Sequence, residues 1–270
     1  MDIRELTALE ELEQAVEVQA VVWGIPPAET VPVHLLVAAR HAGGLVAGAW
    51  EGQQLVGLVF GIASWLRGAA GHHSHMLAVL PSHQGRGIGE RLKWYQRRWC
   101  LERGITMVRW TFDPLQAGNA HLNFNKLGST ASEYLTDAYG PLRGPLNEGV
   151  PSDRLVVEWD LQSPRVRAAA RGVRPPPIET GPLVTPTAEG PPSEVIESDA
   201  PAVRIAVPAS FSHLPIDDPA SARAWRLVAR AALQHYLQRG YRAEAFLRQP
   251  TPALVLRRLR SDRFRPDRAC

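Results

Sequence analysis

The feature that most narrows the possible folds is the run Leu77-Ala78-Val79-Leu80-Pro81-Ser82-His83-Gln84-Gly85-Arg86-Gly87-Ile88-Gly89. It begins as an apolar strand, passes a proline, and places glycines at alternate positions before a segment with helical spacing. Glycine adopts positive φ without a Cβ penalty, so successive backbone N–H groups can turn into one concavity. A helix starting there adds the free N–H groups and partial positive charge of its N-terminus. Strand, concave amide turn and helix in that order make an anion site, and a diphosphate is its natural guest. Arg86 stands ready to add a charged contact. The glycines spell neither GxxxxGK[ST] nor GxGxxG, which sets aside the nucleotide P-loop and the dinucleotide fingerprint.

The flanking periodicities predict the frame that holds this turn. Residues 9–23 repeat Leu12, Ala15, Val16 and Ala20 at helical spacing, and a second short helix covers 33–40 before Gly43-Gly44. The period then shortens. Leu45 to Trp50 and Leu55 to Ser64 read as strands joined at Glu51-Gly52, and His72 to Leu80 reads as a third. A helix over 87–103 carries Ile88, Leu92, Tyr95 and Trp99 on one stripe and stops at Gly104. Tyr95 and Trp99 are predicted core. A strand over 105–112, a short helix over 117–127 and a strand over 155–161 follow. The expected class is therefore α/β, with a mixed, partly antiparallel sheet flanked by helices rather than a doubly wound parallel sheet.

Beyond residue 170 the chain changes character. Pro175-Pro176-Pro177, Pro182, Pro186 and Pro191-Pro192 sit among Gly, Thr, Ser and Glu, which predicts a linker or extended arm over 171–201. The expected division is thus a catalytic domain over 1–170, that linker, and a small βαβ-like segment over 202–270. Its helix opens with Asp218 at N-cap and Pro219 at N1, runs through Trp225, Val228, Ala229, Ala232, Leu233 and Tyr236, and stops at Gly240. A piece of this size seldom holds a strong core alone, which predicts docking on the first domain or on a partner subunit, and hence a homodimer.

Composition excludes several classes. Hydrophobic residues make up 45% of the 270 and charged residues 21%, a globular balance. A net charge of +3 is a weak field and does not call for nucleic acid. The arginines from Arg257 to Arg268 read as a solvated tail or a contact for acidic groups, with Arg154 a second candidate to hold a carboxylate. Cys100 and Cys270, without CxxC or Cys/His ligand spacing, predict neither a disulfide framework nor a metal site. No apolar run reaches membrane-spanning length, and no basic-then-apolar leader opens the chain, so the cytoplasm is the expected compartment.

The central run resembles the GCN5-related N-acetyltransferase superfamily. Its motif Q/R-x-x-G-x-G/A follows a strand ending in V-x-P, here Val79-Leu80-Pro81 and then Gln84 to Gly89. The resemblance covers about residues 1–161. It implies an acetyl-CoA or other acyl-CoA cofactor, with pantetheine along Leu77 and Val79 and the pyrophosphate on the amides of Gln84, Gly85, Arg86, Gly87, Ile88 and Gly89. It also implies that this strand splays from the next one and that the backbone of Val79 serves as oxyanion donor. A second superfamily motif, a helix ending in K-L-G, stands at Lys126-Leu127-Gly128. Phe124 occupies the position of the tyrosine that often protonates the leaving thiolate, and Asn119 is displaced from the expected asparagine position at Ala117. The marks His73-Ser74-His75-Met76 and Trp110 to Gln116 are similar to a sparsely characterised branch, some of whose members are thought to load a group such as succinyl onto an amino acid.

Aminolysis of a thioester needs a neutral amine, a place for its proton, and stabilisation of the charge that builds on oxygen. His73 and His75 lie two apart on a strand and so are expected to share a face with Leu77 and Val79. They read as a base, as substrate-positioning groups, or as a polar strand edge; His72 points the other way. Tyr134 and Tyr139 are candidates to replace the hydroxyl that Phe124 lacks. Trp110 and Phe112 are candidates to line the acyl pocket. Asp113 is placed to hold an ammonium group, or else to form an Asp-Pro turn. Asn123 and Asn125 read as cofactor or substrate contacts, or as solvated helix residues. The function expected is transfer of an acyl group from CoA to a small amine such as an amino acid. The alternatives are acetylation of a peptide amine and a CoA-binding module without chemistry. Nucleic-acid binding through the basic tail is the weakest reading.

Overall fold

The computed structural model describes residues 1–140, 149–173, 180–187 and 190–259. In chain order the regular elements are β1 (Asp2–Glu5), α1 (Leu9–Trp23), α2 (Val33–His41), β2 (Leu45–Glu51), β3 (Gln54–Leu66), β4 (Ala69–Val79), α3 (Ile88–Glu102), β5 (Met107–Phe112), α4 (Ala117–Ala120) with a π-helical turn His121–Lys126, β6 (Thr130–Leu135), β7 (Arg154–Asp160), α5 (Pro164–Ala170), β8 (Ala202–Ala206), α6 (Leu214–Asp217), α7 (Pro219–Gln238), β9 (Tyr241–Leu247) and β10 (Ala253–Arg258). The chain divides into two compact units. One contains Met1–Trp110 and Glu158–Val173, and the described residues of 111–157 and 174–259 make the other.

In the first unit the strands run in the order β1-β2-β3-β4-β5. Neighbours through β4 are antiparallel and β4-β5 is parallel. The expected mixed sheet is therefore present, with β1 added at its edge. One face carries the apolar stripes of α1 and α2: Leu12, Ala15, Val18, Leu36 and Ala39 bury against Val46, Trp50, Leu58, Phe60 and Ala78. The other face carries α3. Gly57 of β3 sits directly beneath it, since a Cβ there would lie 3.1 Å from both Ile88 and Leu92. Trp99 is buried as predicted, whereas Tyr95 is only half-buried. The short helix α5 follows the same start rule as α7, with Ser163 accepting from the Val166 N–H at 3.3 Å and proline at N1.

The second unit orders its strands β6-β9-β10-β8. Both neighbours of β10 run antiparallel to it, so β8 and β9 are parallel with α7 between them in sequence. This is a split βαβ: the βαβ-like segment expected from sequence is present, with one further strand, β10, between its parallel pair. Helix α7 begins as foreseen, with Asp218 accepting from the Ser221 N–H at 3.0 Å and Pro219 behind it. Its stripe Ala222, Trp225 and Ala229 packs with Leu115, Val150, Ala206 and Phe211. The described part of the proline-rich stretch lies along β8 as an arm. Val184 N–H donates to Arg204 O at 2.9 Å, Arg204 N–H donates to Pro182 O at 2.8 Å, and Val184 is buried. Pro175-Pro176-Pro177, Cys270 and the tail arginines from Arg260 to Arg268 lie outside the described residues.

Gly61 marks the tightest approach in the first unit. A Cβ there would fall 2.2 Å from His72 Nε2 and 2.8 Å from the His73 carbonyl. Gly61→Ala is expected to destabilise the chain by about 1–3 kcal/mol, the usual cost of overpacking. Chemical denaturation would measure this, and an unchanged midpoint would contradict the packing described.

Candidate coenzyme site

Strand β4 ends at Val79, a single 3-10 turn covers Pro81–His83, and Gln84 returns to extended backbone. Gly85 and Gly87 then take φ of 77° and 75°, a region that L side chains avoid. A Cβ at either would meet nothing within 4 Å, so the glycines are demanded by backbone conformation and the space beside them is open. Gly87 is the N-cap of α3, and no side chain caps that end. The first N–H groups of a fifteen-residue helix are thus left for a ligand or water. The Gln84 side-chain amide donates to Val79 O at 3.1 Å, tying the turn to the strand. Arg86 is shared: its guanidinium donates to Glu51 at 2.7 Å, and His83 Nε2 lies 2.9 Å from the other oxygen of the same carboxylate. The Arg86 contact, helped by His83, holds the Glu51 carboxyl down at about 2.

The strand leading into this turn is open on one side. Its parallel register with β5 consists of His72 with Val108 and His73 with Arg109. Among the described residues of this unit, Ser74 to Val79 pair with no residue of β5, and on that outward edge Val79 O accepts from the Gln84 side chain. The register with β3 also shifts, because Phe60 pairs with Met76 while Gly61 pairs with Ser74. His75 is therefore an extra residue, a β-bulge. Side-chain alternation slips by one there. His72 and Ser74 face α3, as do Leu77 and Val79, whose methyls would lie 3.6 and 3.8 Å from a Cβ on Gly89. His73 and His75 turn to the opposite face, where the His75 ring meets Phe60 edge-on at 5.5 Å and the two imidazoles stand 6.1 Å apart. The expectation that His73, His75, Leu77 and Val79 share a face is thus corrected. Burial lowers the pKa of both histidines, so at neutral pH each is an uncharged imidazole able to take a proton.

Beneath the open strand, Lys93 of α3 is 2% exposed. Its Nζ donates to Ser74 Oγ at 2.9 Å and to Gln96 Oε1 at 2.6 Å, and stands 3.8 Å from the Trp110 ring centre. Gln96 Nε2 in turn meets His72 Nε2 at 3.0 Å, which leaves His72 Nδ1 buried without a partner. Burial pulls the Lys93 ammonium down to about 7 and pushes the nearby Cys100 thiol up to about 12. Burial first, then the Lys93 charge, lowers His72 to about 3. Periodicity did not flag this lysine, because a cation among Arg91, Arg97 and Arg98 reads as part of a solvated face. The one available signal is its spacing, one residue beyond buried Leu92 and three before buried Gln96.

Residues 7–128 match the Acetyltransferase (GNAT) family. Over these residues the chain has the GNAT acetyltransferase fold, and residues 129–270 are an additional segment beyond the match. Among solved structures it is similar to an aminoglycoside 6'-acetyltransferase type Ii, with 18% identity, 60% of this chain and 99% of that chain covered, and a TM-score of 0.47. It is similar also to the ribosomal-protein-S18-alanine N-acetyltransferase from Escherichia coli, at 16% identity, 60% and 94% coverage and a TM-score of 0.47. A putative acetyltransferase from Salmonella typhimurium, solved with acetyl-CoA, aligns at 19% identity, 60% and 95% coverage and a TM-score of 0.46. No curated protein matches the chain.

The remaining residues singled out from the GNAT resemblance and from the sequence are placed as follows. Trp110 is buried against Trp159 and Lys93, in the core of the first unit rather than on a free surface. In the second unit, Phe112 and the fully buried Phe124 meet ring to ring at 5.7 Å, so neither presents a free face. Asp113 holds no free cation site. Both its oxygens accept from Arg226, at 2.8 and 2.6 Å, and the guanidinium is 1% exposed. Tyr134 donates to Asp153 at 2.6 Å, and Arg230 donates to both oxygens of that carboxylate at 2.8 Å. Burial and then that hydrogen bond raise the Tyr134 pKa, which makes it a poor acid. Tyr139 remains exposed, its hydroxyl 2.6 Å from Thr111 Oγ1 and the Arg154 guanidinium over its ring. Asn119 is exposed and Asn123 is buried, its carbonyl accepting from both the N–H and the hydroxyl of Ser129. Asn125 exchanges two 2.8 Å hydrogen bonds with the backbone of Phe246, a structural tie rather than a ligand contact.

Unfolded, Lys93 keeps its proton to about 10.5; folded, it loses it at about 7. Between these values the unfolded chain binds more protons, so raising the pH favours the folded state. The stability of the wild type relative to Lys93→Met is expected to rise steadily across that window in thermal melts. A gap independent of pH would contradict the burial described.

Proposed function

We propose that this protein is a CoA-dependent N-acyltransferase that moves an acetyl or larger acyl group, such as succinyl, onto the amine of a small molecule such as an amino acid. The observation that carries it is the continuity of an unpaired β4 edge with an uncapped, positive-φ glycine turn. The edge offers strand-like hydrogen bonds to an extended amide chain, and the turn offers converging N–H groups to a diphosphate. Pantetheine and pyrophosphate occur in that order in CoA, and the GNAT family match over 7–128 supports the same cofactor. When bound, acyl-CoA supplies an activated acyl group.

The chain's own residues then have separate tasks in this proposal. The amides from Gln84 to Gly89 hold the pyrophosphate, and the backbone at Leu77 and Val79 aligns the pantetheine. A neutral His73 or His75, directly or through water, accepts the proton of the attacking amine, which direct aminolysis requires. The backbone N–H of Val79 faces the charge that builds on the acyl oxygen. Tyr134, named from sequence as a possible acid, is committed to Asp153 and is not used for the thiolate. The buried Cys100, with its raised pKa, gives no reason for a covalent acyl-enzyme step.

A matrix of acyl-CoAs against amino acids and other amines, read by free thiol release, tests this directly. Thiol release from no combination would sink it. Gly87→Val is expected to abolish CoA binding in calorimetry while retaining a cooperative thermal transition. His73→Ala or His75→Ala is expected to lower kcat by about 10²–10⁴-fold, the contribution of a positioned base, with a much smaller effect on CoA affinity.

A further inference from the structure

The acyl-CoA reading leaves one buried group without a task. Lys93 carries an ammonium at the point where β4 and β5 part. Ser74, its hydroxyl partner, is the first β4 residue beyond the two paired positions. Trp110, whose ring it meets at 3.8 Å, is the residue following Arg109, the last paired position of β5. The lysine therefore reaches from α3 into the fork and touches both arms at their first unpaired residues.

We infer that Lys93 is a positioning residue: its ammonium, clasped between Ser74 of β4 and the Trp110 face of β5, fixes where the strands part and so holds the β4 edge open for acyl-CoA. This rests on the coenzyme reading above. Strands in register gain by continuing to pair, so a fork needs something that occupies it. An ammonium does this in three directions at once: one N–H goes to Ser74, one to Gln96, and its charge faces the ring quadrupole. A neutral amine keeps its size but loses the attraction to the ring. Gln96 couples the clasp to His72, and His72 is adjacent in the strand to His73.

The charged and titratable groups around the clasp set its response. From β4 they are His72 and His73; from α3 itself, Cys100. From β5 and β7 they are Arg109 and Glu158, whose side chains stand 3.8 Å apart. Trp110 and Trp159 bring no titrating group. No carboxylate is paired with Lys93 in the described ion pairs, so the clasp is charged below about pH 7 and neutral above it.

The experiment measures CoA affinity of the full chain by calorimetry from pH 6 to 9 for the wild type, Lys93→Met and Gln96→Glu, with thermal melts alongside. Comparison between variants cancels the titration of CoA itself. Lys93→Met is expected to bind about tenfold more weakly at pH 6, a loss of about 1.4 kcal/mol, and to lack the decline that the wild type shows above pH 7. Gln96→Glu supplies a carboxylate beside the ammonium and is expected to move the midpoint of that decline upward by about one pH unit or more. A folded Lys93→Met with wild-type affinity and pH profile, or an unmoved midpoint in Gln96→Glu, overturns the inference. If the wild type takes up no CoA at any pH, the coenzyme reading fails by itself. Amide exchange at Leu77 and Val79 then decides the clasp without any ligand. Slower exchange in Lys93→Met means that the edge has closed, as expected; unchanged exchange overturns the role.

Discussion

Strand β4 holds one residue more than the stretch of β3 it pairs with, and the site in the first unit depends on that mismatch. The extra residue, His75, lets Leu77 and Val79 pack toward α3 although His72 and Ser74, on the far side of the bulge, do so too. Without the bulge Leu77 and Val79 would share a face with His73 and His75, and His72 and Ser74 would not face α3 together with them. The bulge lies beside the place where pairing with β5 ends. Bulges bend and twist a strand, so a single insertion accounts both for the change of face and for an edge that diverges into the glycine turn.

The turn and the helix behind it then act on a ligand mainly through the backbone. Glu51 sits on Arg86 and His83, so the only charged side chain in the motif is balanced within the protein. What faces outward is a set of N–H groups whose positions are fixed by two positive-φ glycines and an uncapped helix. Such a site costs little to pre-organise, since no long side chain must be ordered when a ligand arrives.

The second unit uses charge differently. Arg226 and Arg230 of α7 are spaced one helical turn apart and engage Asp113 and Asp153 with two hydrogen bonds each. Buried pairs of this kind specify an arrangement more than they add net stability, because their attraction is offset by lost hydration. They also engage Asp113, read from sequence as an ammonium contact, and through Asp153 they engage Tyr134, read as a candidate acid.

Sequence by itself determined what local chemistry dictates. The strand, glycine turn and helix from 77 to 103, the helices α1 and α2, the hairpin of β2 and β3, and the Asp218-Pro219 start of α7 follow from periodicity, capping and turn preferences acting over a few residues. The tertiary structure decided everything that depends on the far partner. Nothing in His73-Ser74-His75-Met76 announces a bulge, because a bulge is a relation between two strands. Lys93 looks solvated until Trp110 and Ser74 close over it. Asp113 looks available until Arg226 arrives from a helix more than a hundred residues later, and β10 is inserted between β8 and β9 although it follows both in sequence. Hydrophobic period fixes which face of an element is buried; only assembly fixes which other element buries it.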